Sequence, residues 1–319
     1  MRVILALALA LLLANSARPA AEPLRLVVDS AFAAHHVPIL LARVHDHFAS
    51  AGIEALIEPG LGTNMVAVLV GQRAFDIGHI TAPAAAAAIA IGAPIRMVAI
   101  YQPRSPLGFV GLKDRVQLEG PKSIEGLRLG ITPGGADTLA LALFRRGNAI
   151  GASAITVIPT DRASKPEALI AGRLDLVIGD SLFLRASLLA AGQQPVVLSI
   201  VDFGAPLQGF GFIANQSALN ERPDLIRRAL GAIRAGFADA AADPAAACLA
   251  TRARFEIPGT DADCARTLTI FLTSLAKPEP GWGRQSPEAW SRMIQAMRAV
   301  GEIQGTRPPS FYYTNAVIP

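Results

Sequence analysis

Two glycine-rich runs and a set of histidines carry most of the chemistry in this sequence. Gly60-Leu61-Gly62-Thr63-Asn64 and Pro133-Gly134-Gly135-Ala136-Asp137-Thr138 each stand between a strand-like run and a helix start. Glycine lets backbone approach a ligand closely, and a helix N-terminus offers free N–H groups to an anion. Thr63, Asn64 and Thr138 add hydroxyl or amide partners, while Asp137 suits either a ligand contact or a helix cap. Neither run has the Gly-Lys-Ser/Thr spacing of a nucleotide phosphate loop. His35, His36, His45 and His47 lie close together, with His79 further on, a density that raises the question of zinc. On one continuous helix His45 and His47 point to different faces, and His36 stands nine residues from His45. No metal site is therefore expected, and no cofactor.

The elements that must position these groups follow from periodicity. Leu24 to Val28 reads as a strand. Val37, Leu40, Leu41, Val44, Phe48 and Ala51 recur at helical spacing, with Pro38 in the first turn and Gly52 at the end. Strands at 53–57 and 75–78, a helix at 63–71, an alanine-rich helix after Thr81 and a strand at 95–101 complete a first strand–helix series. A second runs from Leu127 to Val201, with strands at 127–131, 155–158, 174–178 and 196–201 and helices at 137–146 and 167–171. The two series echo each other: Gly71 and Gly78 flank Gln72-Arg73-Ala74-Phe75-Asp76-Ile77, and Gly172 and Gly179 flank Arg173-Leu174-Asp175-Leu176-Val177-Ile178. Alternation of this kind calls for mainly parallel sheets covered on both faces, here in two similar lobes. The Gly-rich segments 107–111 and 209–213 stand where the chain crosses between lobes, a two-segment hinge. The expected division is residues 22–108 and 212–319 in lobe 1 and 109–211 in lobe 2, with helices in the C-terminal third.

Ligands of such sheets sit beyond the carboxyl ends of the strands. That rule selects Ser30, Phe32, His36, Gly62, Thr63, Asn64, His79, Thr81 and Tyr101 from the first lobe. From the second it selects Gly134, Gly135, Asp137, Thr138, Arg162, Asp180 and Phe203. Their signs are mixed: carboxylates suit an amino-bearing ligand, whereas Arg162 and helix amides suit a sulfonate or carboxylate. The aromatic residues serve equally as stacking partners or as core.

The N-terminus indicates the compartment. Arg2, the apolar run Val3 to Ala14 and the small, polar residues after it have the order of a secretory signal, residues 1–21, with cleavage expected after Ser16 or nearer Glu22. That run is too short for a membrane span, which needs about 20 apolar residues. The stretch from Thr81 to Ile100 is broken by Pro83, Gly92, Pro94 and Arg96 and reads as a buried helix, turn and strand. With 52% hydrophobic residues, 17% charged residues and a formal charge of +4, the chain can form large cores, and it has no basic stripe suited to nucleic acid. Cys248 and Cys264, the two cysteines, can pair in an oxidising compartment; independent buried thiols are the alternative.

Several segments resemble a known family in order and spacing. They are Val28-Asp29-Ser30 through His36 to Ala42, Ala51-Gly52-Ile53-Glu54 leading to Glu58-Pro59-Gly60, Ala171-Gly172-Arg173-Leu174-Asp175, and Glu288-Ala289-Trp290 through Gly301 to Tyr313-Thr314-Asn315. The chain is similar along nearly all of its mature length to the SsuA/THI5-like (NMT1-like) solute-binding proteins of ABC importers. The resemblance implies a type II periplasmic binding protein fold, two doubly wound α/β lobes closing on a small molecule. It also implies an ABC permease as partner, a monomer, and a periplasmic location. The thiamine-precursor branch carries Trp-Phe-Pro-Asn ahead of a histidine; here only His36 matches, so the ligand stays open among sulfonates, nitrate, pyrimidine precursors and related solutes. An exported enzyme on the same fold, acting on a pyrimidine-like or ester substrate, and a ligand sensor for a membrane receptor are the alternatives. No Ser-His-Asp order with a nucleophile elbow supports the enzyme.

Overall fold

The computed structural model describes residues 21–277, 279 and 281–319. The expected signal segment, apart from Ala21, lies outside the described residues. Among the described residues ten strands form two five-stranded sheets of mixed direction. The first has the order β2-β1-β3-β10-β4, from β1 (Glu22–Val27), β2 (Ile53–Glu58), β3 (Ile77–Thr81), β4 (Ile95–Ile100) and β10 (Phe210–Asn215). The second has the order β7-β6-β8-β5-β9, from β5 (Leu107–Leu112), β6 (Arg128–Ile131), β7 (Thr156–Pro159), β8 (Leu176–Asp180) and β9 (Pro195–Ser199). The topologies are the same once β10 is matched to β5. Each of these runs antiparallel to its neighbours, while β1–β3 and β6–β8 are parallel.

The sequence echo has a physical cause. Asp76, just before β3, accepts the backbone N–H of Arg25 at 2.8 Å; Asp175, just before β8, accepts that of Arg128 at 2.8 Å. Each aspartate locks the start of the third strand of its series to the first strand, so the helix-Gly-Asp-strand pattern recurs. Glycine at 78 and 111 admits close packing, since a Cβ at Gly78 would stand 2.5 Å from Val66 and one at Gly111 2.3 Å from Val116.

β5 and β10 are the first strands after each passage between sheets, so the crossings themselves are 101–106 and 200–209. The two crossings are bonded to one another: Gly209 N–H donates to Gln102 O at 2.9 Å and Ser105 N–H to Leu207 O at 2.9 Å. Buried Gln102 also accepts Phe210 N–H at 3.2 Å and donates to Ser274 at 2.9 Å.

Two expectations change. The single helix expected to run from Val37 to Ala51 is two, α1 (Val37–Val44) and α2 (His47–Ser50), separated by Asp46 in the left-handed region at φ 58°. No proline or glycine interrupts the apolar spacing, which is why periodicity cannot show the break. The premise that His45 and His47 share a helix and diverge is thereby corrected: both rings turn to Asp239. A helix not anticipated, α7 (Ser181–Ala190), follows β8, after α3 (Thr63–Gly71), α4 (Ala82–Ala90), α5 (Ala136–Gly147) and α6 (Lys165–Ile170).

The C-terminal third is helical: α8 (Gln216–Glu221), α9 (Pro223–Ala242), α10 (Pro244–Arg252), α11 (Asp261–Leu272) and α12 (Pro287–Ala299). α9 lies directly on α1, and Gly236 makes the approach possible, because a Cβ there would meet Pro38 O at 2.2 Å. Cys248 on α10 and Cys264 on α11 form a disulfide with Cα atoms 6.0 Å apart. Among the described residues no helix is long and apolar enough to cross a membrane.

Candidate functional site

A cleft of about 770 Å³ opens between the two sheets. Its walls come from the loops after the parallel strands in both halves, as the strand-end rule requires. Ser30, Gly62, Thr63, Asn64 and Thr81 line it from one side; Gly134, Gly135, Asp137, Thr138, Arg162 and Asp180 line it from the other. Ala84, Ala87, Leu139, Leu184 and Phe210 add apolar surface.

Three helices begin at this cleft without a side-chain cap, α3 behind Gly62, α4 behind Thr81 and α5 behind Gly135. In α4 Ala82 N–H donates to Gly209 O at 2.9 Å and Pro83 has no N–H, so α3 and α5 are the two that offer open first-turn amides. Gly62 at φ 106° and Gly134 at φ 73° hold backbone conformations that L side chains rarely adopt, which explains the glycines. A fourth helix, α7, is capped by Asp180, whose carboxylate accepts Leu182 N–H at 3.0 Å and Phe183 N–H at 3.2 Å. Asp180 thus lines the cleft with its charge already engaged.

Asp137 is also engaged. It accepts Thr132 N–H at 3.1 Å and pairs with Lys165, a lysine of 2% exposure whose ammonium also donates to Ile178 O at 2.7 Å. Lys165 lies 28 residues from Asp137 in sequence, and no local signal marks it. Thr138 Oγ1 accepts Gly134 N–H at 3.2 Å, which leaves its proton for a ligand. Arg162 makes no salt bridge among the described residues; its guanidinium stands 5.2 Å from the centre of the Phe183 ring. It is the cleft cation left available to an anion.

His36, His79 and Tyr101 do not line the cleft but lie behind it, each buried. They surround Asp29, which lines the cleft and which sequence patterning does not single out. His36 Nε2 and His79 Nδ1 each lie 2.8 Å from Asp29 Oδ1. The remaining ring atoms assign the tautomers: His36 Nδ1 accepts Ala33 N–H at 3.1 Å, and His79 Nε2 accepts the Tyr101 hydroxyl at 2.5 Å. Both imidazoles are therefore satisfied as neutral groups donating to a carboxylate. Burial would raise the Asp29 carboxyl, but hydrogen bonds from His35, His36 and His79 outweigh it and hold it well below the usual range. Burial lowers His36 to about 3 and lowers His79 as well. Burial also raises the Tyr101 phenol, aided by the charges of Asp29 and Asp180. The cluster carries one negative charge, and Asp29 Oδ2 takes none of these bonds. Phe32 packs edge-on against Phe255 at 5.5 Å and Phe203 joins the apolar core, so neither ring lines the cleft.

Two similarly built α/β halves around one cleft, joined by paired crossings, define a type II periplasmic binding protein fold. Solved structures of similar shape agree. The aliphatic sulphonate-binding protein SsuA of Escherichia coli superposes with a TM-score of 0.73 at 14% identity, over 92% of each chain. The alkanesulfonate-binding protein SsuA of Xanthomonas axonopodis pv. citri, bound to MOPS, gives 0.67 at 14% identity, over 94% of this chain and 99% of that one. The desulfurization enzyme DSZB gives 0.60 at 13% identity, over 93% and 97%. At such identities the likeness concerns the fold alone. The family described as NMT1/THI5 like matches residues 33–247, and the chain belongs to that family. No curated protein matches the sequence.

Proposed function

We propose that this protein is the solute-binding component of an ABC importer, working in the periplasm and delivering a small organic oxyanion to an inner-membrane permease. The observation that carries the reading is the convergence of uncapped helix N-termini from both halves on one cleft, next to an arginine without a carboxylate partner. Free backbone N–H groups and the positive helix ends favour a sulfonate or carboxylate. Arg162 supplies planar donors suited to such a group. The apolar wall from Ala84, Ala87 and Leu139 then accommodates an organic body in the manner of ordinary small-molecule pockets.

The SsuA structures bind sulfonates by their names, which supports a sulfonate as the first ligand to test. The DSZB likeness keeps an enzyme on this fold as a comparison. A cysteine-to-serine variant of that enzyme holds biphenyl-2-sulfinic acid, whereas both cysteines of this chain are joined to each other and offer no free thiol. Native mass spectrometry of freshly purified protein tests the reading. A retained small acid, released on denaturation, is the expected result. Turnover of the retained molecule, or retention of a purely cationic one, contradicts it.

A further inference from the structure

His45, His47 and Asp239 meet on the surface of the molecule, away from the cleft. His45 Nδ1 stands 2.6 Å and His47 Nε2 2.7 Å from the same atom, Asp239 Oδ2. The three donor atoms all lie within 4.8 Å of one another. The histidines flank the break between α1 and α2, and the aspartate projects from α9, 192 residues further along the chain than His47.

The break itself needs a reason. The apolar spacing of Val37 to Ala51 favours one continuous helix, yet Asp46 adopts the left-handed region, which is unfavourable for any L residue with a side chain. An outlier of this kind, set between two histidines, turns both rings to one side. Had the helix continued, His45 and His47 would point about 160° apart around its axis.

We propose that His45, His47 and Asp239 form a binding site for a divalent transition-metal ion of the zinc class. Two imidazoles and one carboxylate are a borderline donor set that suits zinc, cobalt, nickel or copper better than calcium or magnesium. Bonds of roughly 2.1 Å in tetrahedral geometry place donors about 3.4 Å apart. The hydrogen-bonded pairs at 2.6 and 2.7 Å need to open by less than an ångström to reach that spacing. All three side chains keep between 28% and 44% exposure, so water completes the shell. On binding, the ion replaces the ring protons that now bridge to Asp239 and fastens the α1–α2 corner to α9.

Among the described residues the buried cluster of Asp29, His36 and His79 is the other set with suitable donors, and the test separates the two. Protein without a histidine tag, with its disulfide intact, is stripped with EDTA and titrated with Zn²⁺ by calorimetry and with Co²⁺ by visible absorption. One equivalent is expected to bind. His47→Gln and Asp239→Asn should each weaken binding by more than the roughly 10–100-fold that even outer-shell partners of a metal carry, with circular dichroism unchanged. His45→Gln provides a third variant that leaves the α9 anchor in place. Absence of binding overturns the proposal. So does binding that survives His45→Gln and His47→Gln together, or that is lost only in His36→Gln.

Discussion

The Tyr101 hydroxyl donates to His79 Nε2 at 2.5 Å, and this bond sets which ring nitrogen of His79 faces Asp29. With its proton held on Nδ1, His79 can only donate to the carboxylate. His36 does the same from Nε2 because its other nitrogen accepts Ala33 N–H. The result is a buried anion at the cleft wall held by two neutral imidazoles.

Acid should therefore destabilise the protein before ordinary carboxylates titrate. Burial lowers His36 to about 3 in the folded state and lowers His79 too, while unfolding restores both to roughly 6.5. Between those limits the unfolded chain binds more protons. Stability is full above about pH 6.5 and falls as the pH drops below it, with a limiting slope of about 1.4 kcal/mol per pH unit for a histidine kept neutral by the fold, a loss that for His36 continues to about pH 3. Asp29, depressed in the folded state, adds a loss in the same direction as the pH falls below the ordinary carboxylate value of about 4. Urea unfolding at about pH 7.5, 6.0 and 4.5, which span the titration of a free imidazole, measures this. Equal stability at all three values contradicts the tautomer assignment.

Asp29→Ala should cost stability at neutral pH, because it leaves two buried imidazole N–H donors without a partner. A buried donor so orphaned costs about 1–3 kcal/mol. Chemical denaturation of Asp29→Ala beside Ser30→Ala, a neighbour on the same loop whose hydroxyl bonds only Ala31 O at 3.2 Å, checks it. Equal losses in the two would point to general disturbance of the loop.

Removal of the disulfide by Cys248→Ala with Cys264→Ala should lower stability by roughly 3 kcal/mol, the entropy of releasing a loop of about 15 residues. The bond lies on α10 and α11 and neither cysteine lines the cleft. Ligand affinity measured below the melting transition should hold, while the urea midpoint falls.

Gly236→Ala should loosen α9 from α1, since the added methyl meets the backbone oxygen of Pro38. Overpacking against backbone costs about 1–3 kcal/mol. A thermal melt unchanged from that of the parent protein would show that the helices separate freely at this crossing.

These residues also mark what could be read from the sequence. The recurrence of Asp76 and Asp175 after glycine reveals two like series because the same short pattern occurs twice, although the bond each aspartate makes spans 51 or 47 residues. The glycine-rich loops are legible for another reason, positive φ being a local demand. Asp29 and Lys165 are not, since no repeat or local pattern marks them and their partners lie as far as 50 and 28 residues away. At strand exits His36 and His79 read as ligand donors; which side of the strand faces the cleft depends on sheet order, which periodicity leaves open. The break at Asp46 is hidden by the opposite effect, a continuous apolar stripe laid over an interrupted backbone.

Whether the cleft selects an organic oxyanion is decided by calorimetric titration. Alkanesulfonates, aromatic carboxylates, nitrate and an aminopyrimidine are to be compared on the parent protein and on Arg162→Ala. Arg162 is exposed and forms no salt bridge among the described residues, so its truncation should change stability by no more than about 0.5 kcal/mol. One-to-one binding of a sulfonate or carboxylate is expected, weakened on loss of Arg162 by roughly tenfold or more, as for a charge-assisted hydrogen bond. Binding of the aminopyrimidine alone, indifferent to Arg162, or no binding by a well-folded protein, would refute an oxyanion carrier.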